Sequence, residues 1–257
     1  MEHLKGKVAL ITGVSRRQGI GFGIAKRLAA GGADLFLHSY APYDEMMEVN
    51  LEKNEAVLIR KELSKYSVTV KQQEADFMEA ESPGIVIQDA IQALGKIDIL
   101  IINHTHDTLK TLEQLDAREI DRHLSVNVRA SLLLIQKFVK HYHGNPGGRI
   151  ILLTSGQHLG PMPHLAYVAS KGALHDLTWS LADSLAEKNI TVNTVNPGPT
   201  RTYVPDPEID REVLRRMPFG RWGTPDDAAR LIDWLVSEEA AWITGQVIDS
   251  EGGFRRG

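Results

Sequence analysis

Apolar positions along the chain fall into short, near-continuous runs that alternate with longer stretches of helical period. The runs Lys7–Ile11, Asp34–His38, Val68–Val70, Ile97–Ile102, Arg149–Leu153, Thr191–Val195 and Gln246–Ile248 predict strands. They lack the in/out alternation of a half-exposed sheet, as expected of parallel strands covered on both faces. Helices are predicted near 20–31, 52–66, 84–94, 113–142, 165–188 and 226–237. The last carries a start signal: Thr224 to cap, Pro225 for the first turn, and Asp226 and Asp227 at the positive end of the dipole. The alternation predicts an α/β fold, a doubly wound parallel sheet of about seven strands with helices on both faces. In such a sheet ligands bind beyond the carboxyl ends of the strands, where strand order reverses.

Composition narrows the class. Of 257 residues 42% are hydrophobic and 24% charged, as in a globular protein that buries a large core. With no cysteine the chain has no disulfide and no thiolate metal site, which fits a reducing compartment. A net charge of −4 gives no general attraction to nucleic acid or anionic lipid. No apolar run reaches membrane-span length, and Met1-Glu2-His3-Leu4-Lys5 leads straight into a strand rather than a secretory leader. A cytoplasmic protein acting on a small molecule, with neither nucleic acid nor membrane as partner, is expected.

The strand ends carry the candidate chemistry. After the first strand, Thr12-Gly13-Val14-Ser15-Arg16-Arg17-Gln18-Gly19-Ile20-Gly21 opens a helix, and its glycines allow a tight turn and close approach to a pyrophosphate. After the second comes His38-Ser39-Tyr40, without the carboxylate that would bind a ribose 2′-hydroxyl. Arg16 and Arg17 can instead reach a 2′-phosphate or stand as solvated loop charges, so NADP(H) is favoured and NAD(H) stays possible. After the third, Asp76 can accept from an adenine amino group and Phe77 can flank the ring. After the fourth, Asn103-His104-Thr105-His106 invites a metal reading, which is set aside because only Asp107 accompanies the histidines in sequence. No metal is expected.

Beyond the fifth strand stand Thr154-Ser155 and then Tyr167-Val168-Ala169-Ser170-Lys171. Tyr and Lys four apart share a helix face, and a nearby ammonium together with an oxidised nicotinamide favours the phenolate of a group with an ordinary pKa of about 10. Such a Tyr can exchange a proton with a carbinol oxygen, to which Ser155 can also bond. After the sixth strand, Asn196-Pro197-Gly198-Pro199-Thr200-Arg201-Thr202 fixes a turn suited to a carboxamide.

These motifs, in this order, resemble the compact branch of the short-chain dehydrogenase/reductase family, nearest to 3-oxoacyl-carrier-protein-reductase-like members. The match runs from Lys7 to about Phe254 and includes Arg221-Trp222-Gly223-Thr224-Pro225 and Thr244-Gly245-Gln246. The resemblance implies a single Rossmann-type domain over 1–257 with a substrate lid over about 199–222. It implies Tyr167 as acid/base, Lys171 to lower its pKa and hold the nicotinamide ribose, Ser155 to orient the substrate oxygen, and Asn127 to kink a long helix and hold a water leading to Lys171. The implied cofactor-binding set is Gly13, Ser15, Arg16, Arg17, Gly19, Ile20, Gly21, Ser39, Asp76, Phe77, Asn103, Tyr167, Lys171, Pro197, Gly198 and Thr202. A homodimer or homotetramer through helices 113–142 and 165–188 is also implied.

The chain departs from the family pattern in four places. Five residues separate Gly13 from Gly19, two more than usual; Ile102-Asn103-His104-Thr105 replaces Asn-Asn-Ala-Gly; Leu152 replaces a frequent strand asparagine; and Ser155 stands 12 positions before Tyr167, one fewer than usual. Thr154 holds the usual distance, whereas counting forward from Gly148-Arg149-Ile150-Ile151 selects Ser155. An enoyl reductase of the same superfamily spaces its Tyr and Lys more widely, so Tyr167/Lys171 argues for carbonyl chemistry. A non-catalytic NADP(H)-binding sensor or scaffold is the alternative. Substrate contacts are expected from His104–Thr108, Gln157–His164 and Tyr203–Trp222.

Overall fold

The computed structural model describes residues 2–47, 54–143 and 147–256. Its strands are β1 (Val8–Ile11), β2 (Asp34–Ser39), β3 (Val70–Glu74), β4 (Ile99–Ile102), β5 (Gly148–Leu153), β6 (Ile190–Asn196) and β7 (Val247–Asp249). They form one parallel sheet in the order β3-β2-β1-β4-β5-β6-β7, so strand order reverses between β1 and β4. The helices are α1 (Ile20–Ala30), α2 (Ala41–Met46), α3 (Glu55–Leu63), α4 (Ser82–Leu94), α5 (Ala117–His123), α6 (Ala130–His141), α7 (Leu165–Leu185), α8 (Pro207–Arg215) and α9 (Pro225–Leu235).

The near-continuous apolar strands are explained by two cores. Ala9 and Ile11 of β1 point to one face, where α1, α3 and α9 cover them; Leu10 points to the other, beneath α4, α6 and α7. Side chains alternate along a strand, so both sets must be apolar. Helix α9 begins as its sequence predicts: Thr224 and Asp227 form a reciprocal capping box, with Pro225 in the first turn. No helix among the described residues is long and apolar enough to cross a membrane.

Four expectations need correction. The third strand lies at Val70–Glu74 rather than 68–70. It is an edge strand bonded to β2 alone, so its Lys71, Gln72 and Gln73 meet no requirement for burial on both faces. The helix predicted over 113–142 is broken: a 3₁₀ turn at Leu112–Gln114 precedes α5, and a π-helical turn, Leu124–Arg129, joins α5 to α6. The wide turn faces Asn127 inward, and Ser131 Oγ donates to its main-chain oxygen at 2.6 Å. The helix predicted over 52–66 is α3, shorter at both ends, and positions 52 and 53 lie outside the described residues. Finally, α2 and α8 were not predicted; α8 occupies the segment expected as a lid.

Candidate cofactor cleft and active site

The glycine loop leaves β1 with Gly13 at φ +72°. A Cβ there would stand 2.8 Å from His104 Cα, and one at Gly21 would stand 2.7 Å from Gly13 O. Glycine is therefore required at both positions for the loop to close against β4. Asn103 staples it, donating from Nδ2 to Thr12 O at 2.9 Å and Gly13 O at 3.0 Å. Gly19 then caps α1, whose free N–H groups open toward a cavity of about 410 Å³ at the switch point.

Gly13, Ser15, Arg16, Gly19, Ile20, Asp76, Phe77, Asn103 and Thr202 all line that cavity. These are nine of the sixteen residues predicted for the cofactor; Arg17, Gly21, Ser39, Tyr167, Lys171, Pro197 and Gly198 do not line it. Ser39 is buried at the end of β2 and does not line the cavity; its neighbours His38 and Tyr40 do. Arg17 is paired with Glu55, Nη2 to Oε1 at 3.2 Å, and faces the adjoining groove. Arg16 Nε lies 3.4 Å from Asp44 Oδ1, while its Nη1 is buried with no hydrogen-bond partner among the described residues. An orphaned guanidinium N–H beside a cradle that only glycine can form fits a phosphorylated dinucleotide.

The wall contributed by α2 escaped the sequence reading. Pro42, Tyr43, Asp44 and Met46 all line the cavity. Pro42 in the first turn was the one available signal for this helix. His38 was also passed over. Its ring stacks on Phe77 at 3.9 Å, so one face of Phe77 is already covered. Gly13 N–H donates to His38 Nδ1 at 3.3 Å, and Nε2–H donates to Ala75 O at 2.9 Å, which defines a neutral tautomer. Burial holds its pKa down at about 4. Asp76 accepts from Tyr40 Oη and Met78 N, both at 2.8 Å.

The candidate catalytic residues meet at the ends of β5 and β6. Lys171 is buried and donates from Nζ to Leu153 O at 2.8 Å, 5.7 Å from the centre of the Tyr167 ring. Burial lowers its pKa to about 8, with Asp107 opposing. The Tyr167 hydroxyl is pushed above the ordinary phenol range, first by burial and then by the Asp107 charge, while a hydrogen bond with Ser155 pulls it down. The protein groups alone therefore hold Tyr167 as the phenol. Thr154 turns away and donates from Oγ1 to Lys171 O at 3.0 Å, which leaves Ser155 facing the phenol. Pro197 and Gly198 follow β6, Gly198 at φ +63° with its N–H on Asn196 Oδ1 at 3.1 Å.

The Asn127 amide does not point at Lys171. Its Oδ1 accepts from His106 N at 2.7 Å, and its Nδ2 donates to His106 O at 2.9 Å and Ser170 Oγ at 2.8 Å. The fold also revises the argument about histidines. His106, Glu119 and His123 are buried with one ligand-type atom each, all within 4.8 Å, although α5 had hidden this from the sequence. Glu119 accepts from His106 Nε2 at 3.0 Å and Thr108 Oγ1 at 2.8 Å, and pairs with Lys110 at 3.2 Å. Burial raises its pKa, but these bonds outweigh it and hold the carboxylate near 2. The group is an ion-pair network that ties the loop after β4 to α5.

Known proteins share this architecture. A family model described as enoyl-(acyl carrier protein) reductase matches residues 13–255. The uncharacterized oxidoreductase YjdA of Bacillus subtilis is 40% identical over 260 residues, covering 100% of both chains. A short-chain dehydrogenase of Burkholderia cenocepacia solved in complex with NADP is 32% identical, with a TM-score of 0.87 and 98% of each chain covered. A blue fluorescent protein from a metagenomic library, solved with NADPH, is 30% identical with a TM-score of 0.87, covering 98% of this chain and 99% of that one.

Proposed function

The chain belongs to the short-chain dehydrogenase/reductase family, and on that premise we propose that it is an NADP(H)-dependent oxidoreductase interconverting a small carbonyl compound and its alcohol, with Tyr167 as acid/base. The observation that carries this reading is the convergence of Ser155, Tyr167 and Lys171 at the carboxyl end of the sheet that also holds the glycine cradle. The nicotinamide supplies the hydride. Ser155 and Tyr167 hold the carbonyl oxygen, and Tyr167 gives that oxygen its proton as the carbon accepts the hydride. Lys171 supplies positive charge behind the phenol and a donor for the ribose. Gly13, Ser15, Gly19, Ile20 and Gly21 would hold the pyrophosphate, Asp76 and Phe77 the adenine end, and Pro197, Gly198 and Thr202 the carboxamide. Asn103 serves this set by fixing the loop, and Asn127 by fixing the strand-end segment beside it.

NADP(H) is favoured over NAD(H) because Arg16 offers an unpartnered donor and because similar proteins were solved with NADP and NADPH. The family model's description names enoyl reduction, but Tyr167 and Lys171 stand one helical turn apart, the spacing that argues for carbonyl chemistry. The test is fluorescence titration with NADPH and NADH, followed by a carbonyl panel with Tyr167→Phe as control. Tighter NADPH binding with turnover lost in Tyr167→Phe supports the proposal. Cofactor binding without turnover of any carbonyl would favour a sensor or scaffold.

A further inference from the structure

We propose that Asp107 and His164 form a recognition pair beside Tyr167, and that the substrate carries a hydroxyl group on the carbon next to its reacting carbonyl. The inference rests on Tyr167 being the acid/base. It names a substrate class that neither the glycine cradle nor the Tyr/Lys pair specifies.

The pair is built from two separate elements. Asp107 lies in the loop after β4, and His164 is the residue before α7. His164 Nδ1 donates to both carboxylate oxygens at 3.0 Å. The Asp107 peptide is fixed by Tyr43, whose hydroxyl accepts from Asp107 N at 3.0 Å and donates to Asp107 O at 3.1 Å. His164 stands edge-on to the Tyr167 ring, centroids 6.4 Å apart. Both side chains remain partly open, 27% and 21% exposed, so the pair is fixed behind and accessible in front.

Its chemistry is unfinished. Each carboxylate oxygen keeps a free lone pair, and His164 Nε2 has no partner among the described residues. An unbranched acyl chain laid here would cover these groups without bonding them, at the cost of their hydration. A carboxylate beside the acid/base also works against the phenolate and for the Lys171 ammonium. Its place beside the acid/base follows from His164, which holds the carboxylate at 3.0 Å and stands 6.4 Å from the centre of the Tyr167 ring. A hydroxyl on the adjacent carbon meets both requirements: it donates to Asp107, which His164 Nδ1 holds in place, while the carbonyl oxygen rests on Tyr167 and Ser155. An ammonium in its place would face Lys171.

The test compares cyclohexanone with 2-hydroxycyclohexanone as substrates with NADPH. Sites built to bond a hydroxyl reject the analogue lacking it strongly, so kcat/KM is expected to favour the hydroxyketone by about tenfold or more. That ratio should fall to near one in Asp107→Ala and in His164→Phe, with NADPH fluorescence titration confirming that both variants fold. No preference in the wild type, or a preference that survives in both variants, overturns the proposal. If neither ketone turns over although NADPH binds, the oxidoreductase reading is what fails. Calorimetric binding of the same pair to the NADP⁺ complex then decides the inference: tighter hydroxyketone binding that is lost in Asp107→Ala sustains it, and equal binding overturns it.

Discussion

Asn127 donates from Nδ2 to the Ser170 hydroxyl at 2.8 Å, and Ser170 passes the chain on to the main-chain oxygen of Tyr167, also at 2.8 Å. The same amide clamps the His106 peptide from both sides. A single buried side chain thus joins the loop after β4, the π-helical turn and α7. Asn127→Leu would leave the His106 N–H and C=O unpaired in the interior, a penalty of about 1–3 kcal/mol per group. Ser170→Ala removes only one link, worth about 1 kcal/mol. Urea denaturation should therefore show Asn127→Leu losing at least twice the stability that Ser170→Ala loses. Equal losses would mean the clamp on His106 contributes nothing.

On the proposed reading Arg16 exchanges one anion for another when NADP(H) binds. Without cofactor it pairs with the buried Asp44, whose carboxyl is pushed up by burial and drawn down by Arg16 and Ser15. A 2′-phosphate bonded to Arg16 would sit close to that carboxylate. Asp44→Asn is expected to tighten NADPH several-fold and to leave NADH within about twofold, since charge-assisted bonds to a phosphate strengthen when a competing anion is removed. Arg16→Ala should weaken NADPH by about tenfold or more and spare NADH. Titrations that move both cofactors equally would take Arg16 out of the phosphate site.

Much of this was legible in sequence because it depends on local rules. Buried parallel strands must be apolar on both faces, which marked every central strand; β3 slipped because an edge strand is free of that demand. Gly13 and Gly21 were legible because no other residue fits, and Tyr167/Lys171 because four residues make one helical turn. What the sequence hid is tertiary. Nothing near Asp107 in the chain announces His164, 57 positions away, and nothing near His106 announces Glu119 across a helix start. The same holds for Tyr167: the desolvation and the Asp107 charge that raise its pKa appear only once the chain is folded.

His38 is expected to lower the stability of the fold in acid. Its ring is neutral, buried and doubly bonded, with a pKa near 4 against an unfolded value of about 6.5. Between those values the unfolded chain binds the proton and the folded chain does not, so stability rises with pH. The contribution is fully present above pH 6.5 and fades as pH falls toward 4, amounting to roughly 3 kcal/mol over that window. Urea midpoints measured at pH 7 and pH 4.5 should therefore differ more for the wild type than for His38→Phe. Parallel pH dependence in the two proteins would assign the acid sensitivity to other groups.

Reduction and oxidation should respond to pH in opposite ways, and Asp107 should set where. Carbonyl reduction needs the protonated phenol, and with Tyr167 held above the ordinary phenol range that form is complete throughout the neutral region. The reduction rate with cyclohexanone is thus expected to be flat from roughly pH 6 to the point near 8 where Lys171 loses its proton. Oxidation of cyclohexanol needs the phenolate, whose share grows about tenfold per pH unit below the pKa, so that rate should climb to near pH 8 and then bend as the ammonium is lost. Asp107 disfavours the phenolate and favours the ammonium, so it raises both pKa values. Asp107→Asn keeps the side chain's size but removes the charge. Both arms of the oxidation profile, and the upper end of the reduction plateau, should then move to lower pH. Cyclohexanol carries no second hydroxyl, so the shift reads the charge and not substrate recognition. A profile that stays in place, or moves to higher pH, would mean that Asp107 does not act on the reacting groups.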